Sequence, residues 1–178
     1  MPFIDIFSKH KIKEKEKPKI IVDPREKNSL VASELVNLGC EIEFKTLEVG
    51  DYIIKNTIIE RKTVSDFIGS MINKRLIRQL NNLQEAKNKL LIIEGLEDEE
   101  LYPRENGINE NAVRGMILSI LLNYQIPIIY SKSYEDTAHF LKVLAKKQEK
   151  DKETGINIKK RSSDVNEQLQ YILEGFPG

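Results

Sequence analysis

Two acidic residues and a lysine lie at the ends of one short segment, residues 50–62, in a pattern that could do chemistry. Apolar runs flank Lys55 and Asn56, which predicts a β-hairpin with its turn at that pair. Asp51 would begin the first strand and lie opposite the end of the second. Glu60 and Lys62 would share a face there, because alternate strand side chains point the same way. Two carboxylates for a hard cation, beside a fixed positive charge, would suit metal-assisted phosphodiester hydrolysis.

Each of these residues also has an ordinary structural explanation. Aspartate after glycine is common in turns, so Asp51 could bond its own backbone. Glu60 and Lys62 could form an exposed charge pair on a sheet face. Arg61 points to the opposite face of a regular strand, so its expected role is to hold a neighbouring carboxylate or to orient the loop. It is the combination of these residue types on one apolar strand that favours a metal site.

Two further aspartates lie at the ends of predicted elements. Asp23 follows the apolar run 20–22, and sites in α/β proteins gather at strand ends, although an Asp-Pro pair such as Asp23-Pro24 is also a frequent turn. Asp66 stands three residues after Thr63, which is a helix-capping spacing. A structural role for Asp66 is therefore as good an explanation as a catalytic one.

Three basic residues, Lys74, Arg75 and Arg78, cluster just after these acids. Arg75 and Arg78 are three residues apart and would share one helix face. This face could be an ordinary solvated one, or it could contact the phosphates of a nucleic acid. The chain has 28 basic and 28 acidic residues and no formal net charge, so nucleic-acid binding would depend on a local basic patch of this kind.

Composition excludes several other classes of site. Cys40 is the one cysteine, which excludes an internal disulfide framework and a cysteine-rich zinc site. His10 and His139 are far apart, which argues against a histidine metal site. With 40% hydrophobic and 31% charged residues, the chain is an ordinary globular one, and no apolar run is long enough to span a membrane. A cytoplasmic protein is expected.

The order of the periodic segments predicts an α/β fold with a central mixed sheet flanked by helices on both faces. Strands are expected at 20–22, 41–47, 90–93 and 127–130, with the hairpin at 51–60. Helices are expected from 28 or 29 to 38, from 63 with a restart at 73 or 74 to about 86, at 109–124, and at 133–150. Residues 97–106 are expected to form a polar, acidic loop.

Several ordered blocks of this sequence resemble one known family. Gly50-Asp51, Glu60-Arg61-Lys62 and Asp66 together resemble the GD…ERKxxxD signature of the XPF/Hef structure-specific DNA endonucleases. Segments 20–26, 46–49 and 91–94 resemble further blocks of the same family, so the resemblance covers roughly residues 19–150. It implies a restriction-endonuclease-like core in an archaeal Hef-like protein.

The resemblance also implies roles for particular residues. Asp51, Glu60 and Asp23 would hold Mg²⁺ or Mn²⁺, with Asp23 either a ligand or the support of one. Arg25 would act near the scissile phosphate, and Lys74, Arg75 and Arg78 would bind DNA. Many members of the family carry a glycine before the arginine that corresponds to Arg75. This chain has Lys74 there, so the resemblance does not predict the conformation of the turn. The implied catalytic set is Asp51, Glu60, Lys62, Arg61, Asp23, Arg25 and Asp66.

The expected organisation has three parts: a flexible charged linker at 1–18, a nuclease domain at 19–150, and at 151–178 a linker with the start of a truncated helix-hairpin-helix domain. The helices at 109–124 and from 133 are apolar beyond one stripe. The family dimerises through this region, which implies a homodimer through residues 108–148. An apolar cluster at residues 3–7 could dock on a partner such as a sliding clamp or another repair protein.

The expected activity is nicking of branched DNA, such as flaps, forks and splayed arms, near the junction, in DNA repair or replication-fork processing. Two alternatives stay open. One is a non-catalytic dimerisation and DNA-docking module of the same family, although such subunits typically lose the acids or the lysine that this chain keeps. The other is a Holliday-junction resolvase-like nuclease on the same core.

Overall fold

The computed structural model describes residues 17–95 and 109–153. In these ranges a six-stranded sheet is accompanied by five α-helices and one short 3-10 helix, Pro24–Asn28. The strands are β1 (Lys19–Val22), β2 (Glu41–Phe44), β3 (Tyr52–Ile54), β4 (Thr57–Thr63), β5 (Asn88–Glu94) and β6 (Ile128–Ser131). The α-helices are α1 (Leu30–Asn37), α2 (Val64–Ile72), α3 (Arg75–Gln84), α4 (Glu110–Leu122) and α5 (Tyr134–Glu153).

The sheet is mixed, with strand order β2-β1-β3-β4-β5-β6. Strand β3 runs antiparallel to both of its neighbours, β1 and β4, whereas β1 pairs with β2 and β5 pairs with β4 and β6 in parallel. The one reversed strand results from the tight β3–β4 hairpin, since parallel neighbours need a crossover instead. The carboxyl ends of β1 and β4 therefore lie at the same edge of the sheet as the start of β3.

Helices cover both faces of the sheet, as the α/β prediction requires. Along β5, Ile92 packs in one core with residues of α1 and α5, whereas Leu91 and Ile93 pack in a second core with residues of α2, α3 and α4. This alternation follows the two-residue period of a strand that is buried on both sides. The predicted fold class is confirmed.

Most of the predicted elements are present, and the differences have clear physical reasons. The hairpin turn lies at Lys55 and Asn56, as predicted, with Ile54 paired to Thr57. Strand β2 is shorter than predicted and mostly exposed, because it is an edge strand with one neighbour, β1. Helix α5 extends to Glu153, slightly beyond the predicted end. The acidic loop at 97–106, the linker at 1–16 and residues 154–178 lie outside the described residues.

In the part of the chain that the structure describes, no helix combines the length and the apolar character needed to cross a bilayer.

Candidate active site

Asp51 is held at the start of β3 by backbone bonds on both sides. Gly50 precedes it with φ of +79°, and a Cβ there would lie 2.6 Å from Cγ2 of Ile58, so only glycine fits this turn. The Asp51 N–H donates to the carbonyl of Ile59 over 2.8 Å. The Asp51 carboxylate in turn accepts the backbone N–H of Arg61 at 2.9 Å. These bonds fix the Asp51 side chain against β4, next to Glu60.

Glu60 and Lys62 lie on one face of β4, as strand alternation predicts. Both are buried, with 9% and 5% exposure. The Lys62 Nζ lies 3.4 Å from Glu60 Oε1. The same oxygen accepts a 2.7 Å hydrogen bond from Nε2 of Gln79 on α3. Glu60 and Lys62 are therefore not an exposed charge pair on a sheet face.

Burial makes the two carboxylates hard to ionise together. Desolvation, with the charge of Glu60 added to it, raises the pKa of Asp51 to about 7. Desolvation also raises the pKa of Glu60, although Lys62 opposes that shift. A divalent cation between two such groups would stabilise both charged forms at once. The electrostatics therefore suit a cation site made of hard oxygen ligands.

Arg61 occupies the opposite face of β4 and is held by carboxylates, as predicted. Its Nη2 and Nε donate to the two oxygens of Glu94, the Nε contact being 2.8 Å, and Nη1 lies 3.3 Å from Glu26. Thr137 of α5 donates to Glu94 at 2.6 Å, and Tyr52 donates to Glu26 at 2.9 Å. Burial disfavours the charged guanidinium, but Glu94 outweighs that effect and raises the pKa of Arg61. Arg61 thus fixes the strand that carries the site.

Asp23 is buried, but its carboxylate already has protein partners. One oxygen accepts from the backbone N–H and Nε of Arg25, at 2.9 and 2.7 Å, and the other accepts the N–H of Leu47 at 2.8 Å. The hydrogen bond from Arg25 and the backbone bonds lower the pKa of Asp23 to about 2, against the opposing effect of burial. In this conformation Asp23 caps the 3-10 helix, and both of its oxygens accept hydrogen bonds from the protein.

The Arg25 side chain lies close enough to Asp51 and Glu60 to be affected by their charges. It is 71% exposed. The hydrogen bond to Asp23 raises the pKa of Arg25, and the charges of Asp51 and Glu60 add smaller contributions of the same sign. An exposed guanidinium beside two carboxylates could reach the phosphate of a substrate.

The remaining predicted residues lie on α2 and α3. Asp66 is exposed, and its N–H donates to Oγ1 of Thr63, so the capping explanation of the spacing is confirmed. Lys74, Arg75 and Arg78 are exposed near the start of α3. Lys74 has φ of +60°, in the left-handed region that glycine adopts most easily.

The expected set of three metal-binding carboxylates is not assembled. Among the described residues, no group of three or more His, Cys, Asp or Glu side chains is arranged to hold a metal ion. The structure places Asp51 and Glu60 together and ties Asp23 to Arg25 and Leu47. Mg²⁺ commonly uses one or two carboxylates and completes its shell with water and substrate phosphate, so the pair still fits a cation of this kind.

Sequence reasoning missed two residues that support the site, Gln79 and Glu94. Glu94 ends the buried run 91–93, and the strand-end argument that singled out Asp23 applied equally to it. Gln79 was visible only as a polar residue between the buried Leu76 and Leu80 of α3. Such a residue at the edge of an apolar stripe is ordinarily a surface residue, so this signal was weak.

A family model described as the ERCC4 domain matches residues 22–144, which is more than half of the chain. The chain belongs to the ERCC4 domain family. Its match includes every residue of the candidate site, and the resemblance to XPF/Hef proteins drawn from the residues 50–66 is confirmed.

Named relatives of this ERCC4 domain protein differ in length. The chain is 30% identical over 165 residues to the 3′-flap repair endonuclease Xpf of Saccharolobus solfataricus, covering 89% of this chain and 70% of that protein. It is 44% identical over 162 residues to a Methanocaldococcus jannaschii protein named ATP-dependent RNA helicase MJ1505, covering 89% of this chain but 20% of that one. The solved structure of XPF from Aeropyrum pernix in complex with DNA matches with a TM-score of 0.71 at 34% identity, covering 91% of this chain and 76% of that chain.

Proposed function

We propose that this chain is the nuclease domain of a structure-specific endonuclease that nicks one strand of branched DNA near the junction, in repair or fork processing. The observation that carries the proposal is the meeting of Asp51, Glu60 and Lys62 at one edge of the sheet of an ERCC4 domain. Relatives named XPF and 3′-flap endonuclease support the substrate class. The retained acids and lysine argue against a docking module without catalysis.

The activity would depend on Mg²⁺ or Mn²⁺, held by Asp51 and Glu60. Asp51 is partly buried and Glu60 is buried, and burial raises the pKa of both carboxyl groups. A bound cation would lower both pKa values, because it stabilises the charged forms. A bound cation would supply Lewis-acid activation of water and of the scissile phosphate. Asp23 would act indirectly, by fixing Arg25 and the loop at Leu47.

Basic side chains of the protein would complete the site. Lys62 is buried 3.4 Å from Glu60, so its ammonium is fixed in a poorly solvated place and can stabilise charge that develops on the phosphate. Arg25 is exposed, and its terminal nitrogens would meet a phosphate oxygen while Nε stays bonded to Asp23. Arg61 lies on the other face of β4, so it would hold the strand in register and touch no substrate.

Helix α3 would place the duplex. Arg75 and Arg78 are exposed on the helix whose Gln79 bonds Glu60, so phosphate contacts there would set the distance from the duplex to the reacting phosphate. The chain has no net charge, and this local basic face would therefore carry the electrostatic attraction. The Aeropyrum pernix XPF was solved in complex with DNA.

A second copy of the chain would complete the working unit. Large apolar side chains are exposed on α4 and α5, namely Leu118, Leu121, Leu122, Phe140 and Val143. Phe140 and Val143 also line a groove of about 160 Å³, whose other walls are mainly apolar side chains of β5, β6 and α5. Exposed apolar surface of this kind marks an interface. A symmetric homodimer through residues 108–148 would bury it and present two sites to a branch.

A panel of labelled DNA substrates tests the proposal. The chain is incubated with Mg²⁺ and a flap, a fork, a splayed arm, a four-way junction or plain duplex. Nicks near the junction of the first three substrates, with little cleavage of the duplex, are expected. Symmetric paired cuts confined to the four-way junction would instead support a resolvase. Binding of branched DNA with no cleavage in either metal would support the docking module.

A further inference from the structure

Gln79 links the basic helix to the catalytic face of β4. Its Nε2 donates to Oε1 of Glu60 at 2.7 Å, across 19 residues of sequence. On α3 it stands between the buried Leu76 and Leu80 and directly follows the exposed Arg78. The helix that would hold the duplex is therefore tied to a candidate metal ligand by the same side chain.

The orientation of the Gln79 amide follows from the chemistry of its partner. An ionised carboxylate can only accept hydrogen bonds, so the NH₂ group of Gln79 must face Glu60. The amide oxygen, Oε1, must then point away from Glu60. That oxygen is buried, and no donor reaches it from the described residues. A buried acceptor without a donor destabilises the fold, so a water molecule is the expected partner of this oxygen.

We propose that Gln79 is a positioning residue with two functions, and this inference depends on the proposed nuclease activity. The NH₂ group holds Glu60 in its rotamer, and Oε1, on the side of the amide away from Glu60, accepts a hydrogen bond from a water molecule buried behind that carboxylate. An amide is far too weak a base to remove a proton, so Gln79 orients the water and takes no proton from it. The residue thereby couples the placement of α3 to the geometry of the reacting groups.

The substitution that tests this is Gln79→Met, which keeps the length of the side chain and removes both polar atoms. Helix α3 offers a matched control, since Gln84 is exposed at its last turn. Gln84→Met should behave like the wild type throughout. For Gln79→Met we expect a single-turnover cleavage rate about 10 to 100-fold lower at saturating Mn²⁺, with the affinity for branched DNA within about twofold.

A second readout does not depend on cleavage. The affinity of each variant for Mn²⁺, measured by titration calorimetry without DNA, should fall several-fold in Gln79→Met and stay unchanged in Gln84→Met, at similar melting temperatures. A wild-type Mn²⁺ affinity and rate in Gln79→Met would overturn the inference. So would losses that follow only a lower melting temperature, since these would indicate a packing role.

The two proposals fail in distinguishable ways. If the wild type cleaves and Asp51→Asn does not, but Gln79→Met is fully active, only the role of Gln79 is wrong. If the Mn²⁺ affinity of the wild type falls in Gln79→Met but the wild type cleaves none of the branched substrates, the nuclease proposal is wrong and the positioning role at the cation site stands. A wild-type chain that binds no Mn²⁺ overturns both.

Discussion

At the scale of single residues, the site depends on two carboxylates that the fold makes difficult to ionise together. Burial and the neighbouring Glu60 raise the pKa of Asp51 to about 7, whereas Arg25 and backbone donors lower the pKa of Asp23 to about 2. The two aspartates therefore have opposite effects on stability. Asp23 is stabilising as an anion, and Asp51 is destabilising as an anion until a cation compensates it.

The first prediction concerns the stability of the metal-free protein. From about pH 4 to about pH 7 the unfolded chain has lost the Asp51 proton and the folded chain has kept it, so the free energy of unfolding should fall as the pH rises. Asp51→Asn can still accept the Arg61 N–H but cannot ionise. Near neutral pH in EDTA it should be more stable than the wild type by on the order of 1–2 kcal/mol.

Urea unfolding at several pH values measures this effect. The difference between wild type and Asp51→Asn should disappear near pH 4 and should shrink when Mn²⁺ is added at neutral pH. A constant difference across that range would contradict the raised pKa. Loss of stability below pH 4 in both proteins is expected from Asp23 and does not bear on Asp51.

The second prediction concerns Lys62. Its buried ammonium would act mainly on the charge that develops in the reaction, so Lys62→Ala should slow the single-turnover rate by roughly 10²-fold. The affinity for Mn²⁺ should change much less. Lys87→Ala, at an exposed position before β5, serves as the control and should keep the wild-type rate. A change confined to DNA affinity would contradict the role of Lys62.

At the scale of elements, the structure separates what local sequence encodes from what it does not. The β3–β4 hairpin follows from apolar runs around Lys55 and Asn56, and strand alternation places Glu60, Arg61 and Lys62 on their correct faces. These signals lie within a few residues of one another. The contact between Asp23 and Leu47 was not predicted, because the two residues are 24 positions apart and only the folded sheet brings them together.

The supporting contacts were missed for the same reason. Arg61 was expected to hold a carboxylate, but Glu94 lies 33 residues further along the chain and reaches it only because β4 and β5 pair in parallel. Gln79 contacts Glu60 because α3 packs against one face of the sheet. Long-range pairs of polar side chains have no periodic signature, so one sequence does not reveal them.

The third prediction concerns Glu94, which accepts hydrogen bonds from Arg61 of β4 and Thr137 of α5 and so joins these elements to β5. Glu94→Gln places an amide between Arg61 and Thr137 and leaves a largely buried guanidinium short of negative charge. We expect the free energy of unfolding to fall by about 3 kcal/mol. Glu110→Gln is the matched control, because its pair with Arg114 is exposed and should be worth less than about 1 kcal/mol. Equal effects of the two substitutions in urea unfolding would contradict this prediction.

At the scale of the whole molecule, the exposed apolar side chains of α4 and α5 predict a homodimer. Val143 is 61% exposed on α5 and lines the apolar groove. Val143→Glu would place a charge in the interface and should give a monomer at micromolar concentration. Val36→Glu is the control, because Val36 is 59% exposed on α1 and lies outside residues 108–148. The Val36→Glu variant should remain dimeric.

Sedimentation equilibrium distinguishes the outcomes. A monomeric wild type at micromolar concentration would contradict the dimer, and so would a dimer that survives Val143→Glu. If the dimer forms as expected, the monomeric variant should cleave branched DNA with less selectivity over plain duplex, because one protomer would no longer hold the second arm.

The most direct test of the central claim is single-turnover cleavage of a flap substrate by the wild type, Asp51→Asn and Glu60→Gln, each with Mg²⁺ and with EDTA. The wild type should nick near the junction only when the cation is present. Each variant should be slower by at least about 100-fold, because a neutral amide replaces one carboxylate ligand, while its DNA affinity is kept or increased by the loss of negative charge. Cleavage by either variant at the wild-type rate, or wild-type cleavage in EDTA, would contradict the assignment of Asp51 and Glu60 as the cation-binding pair.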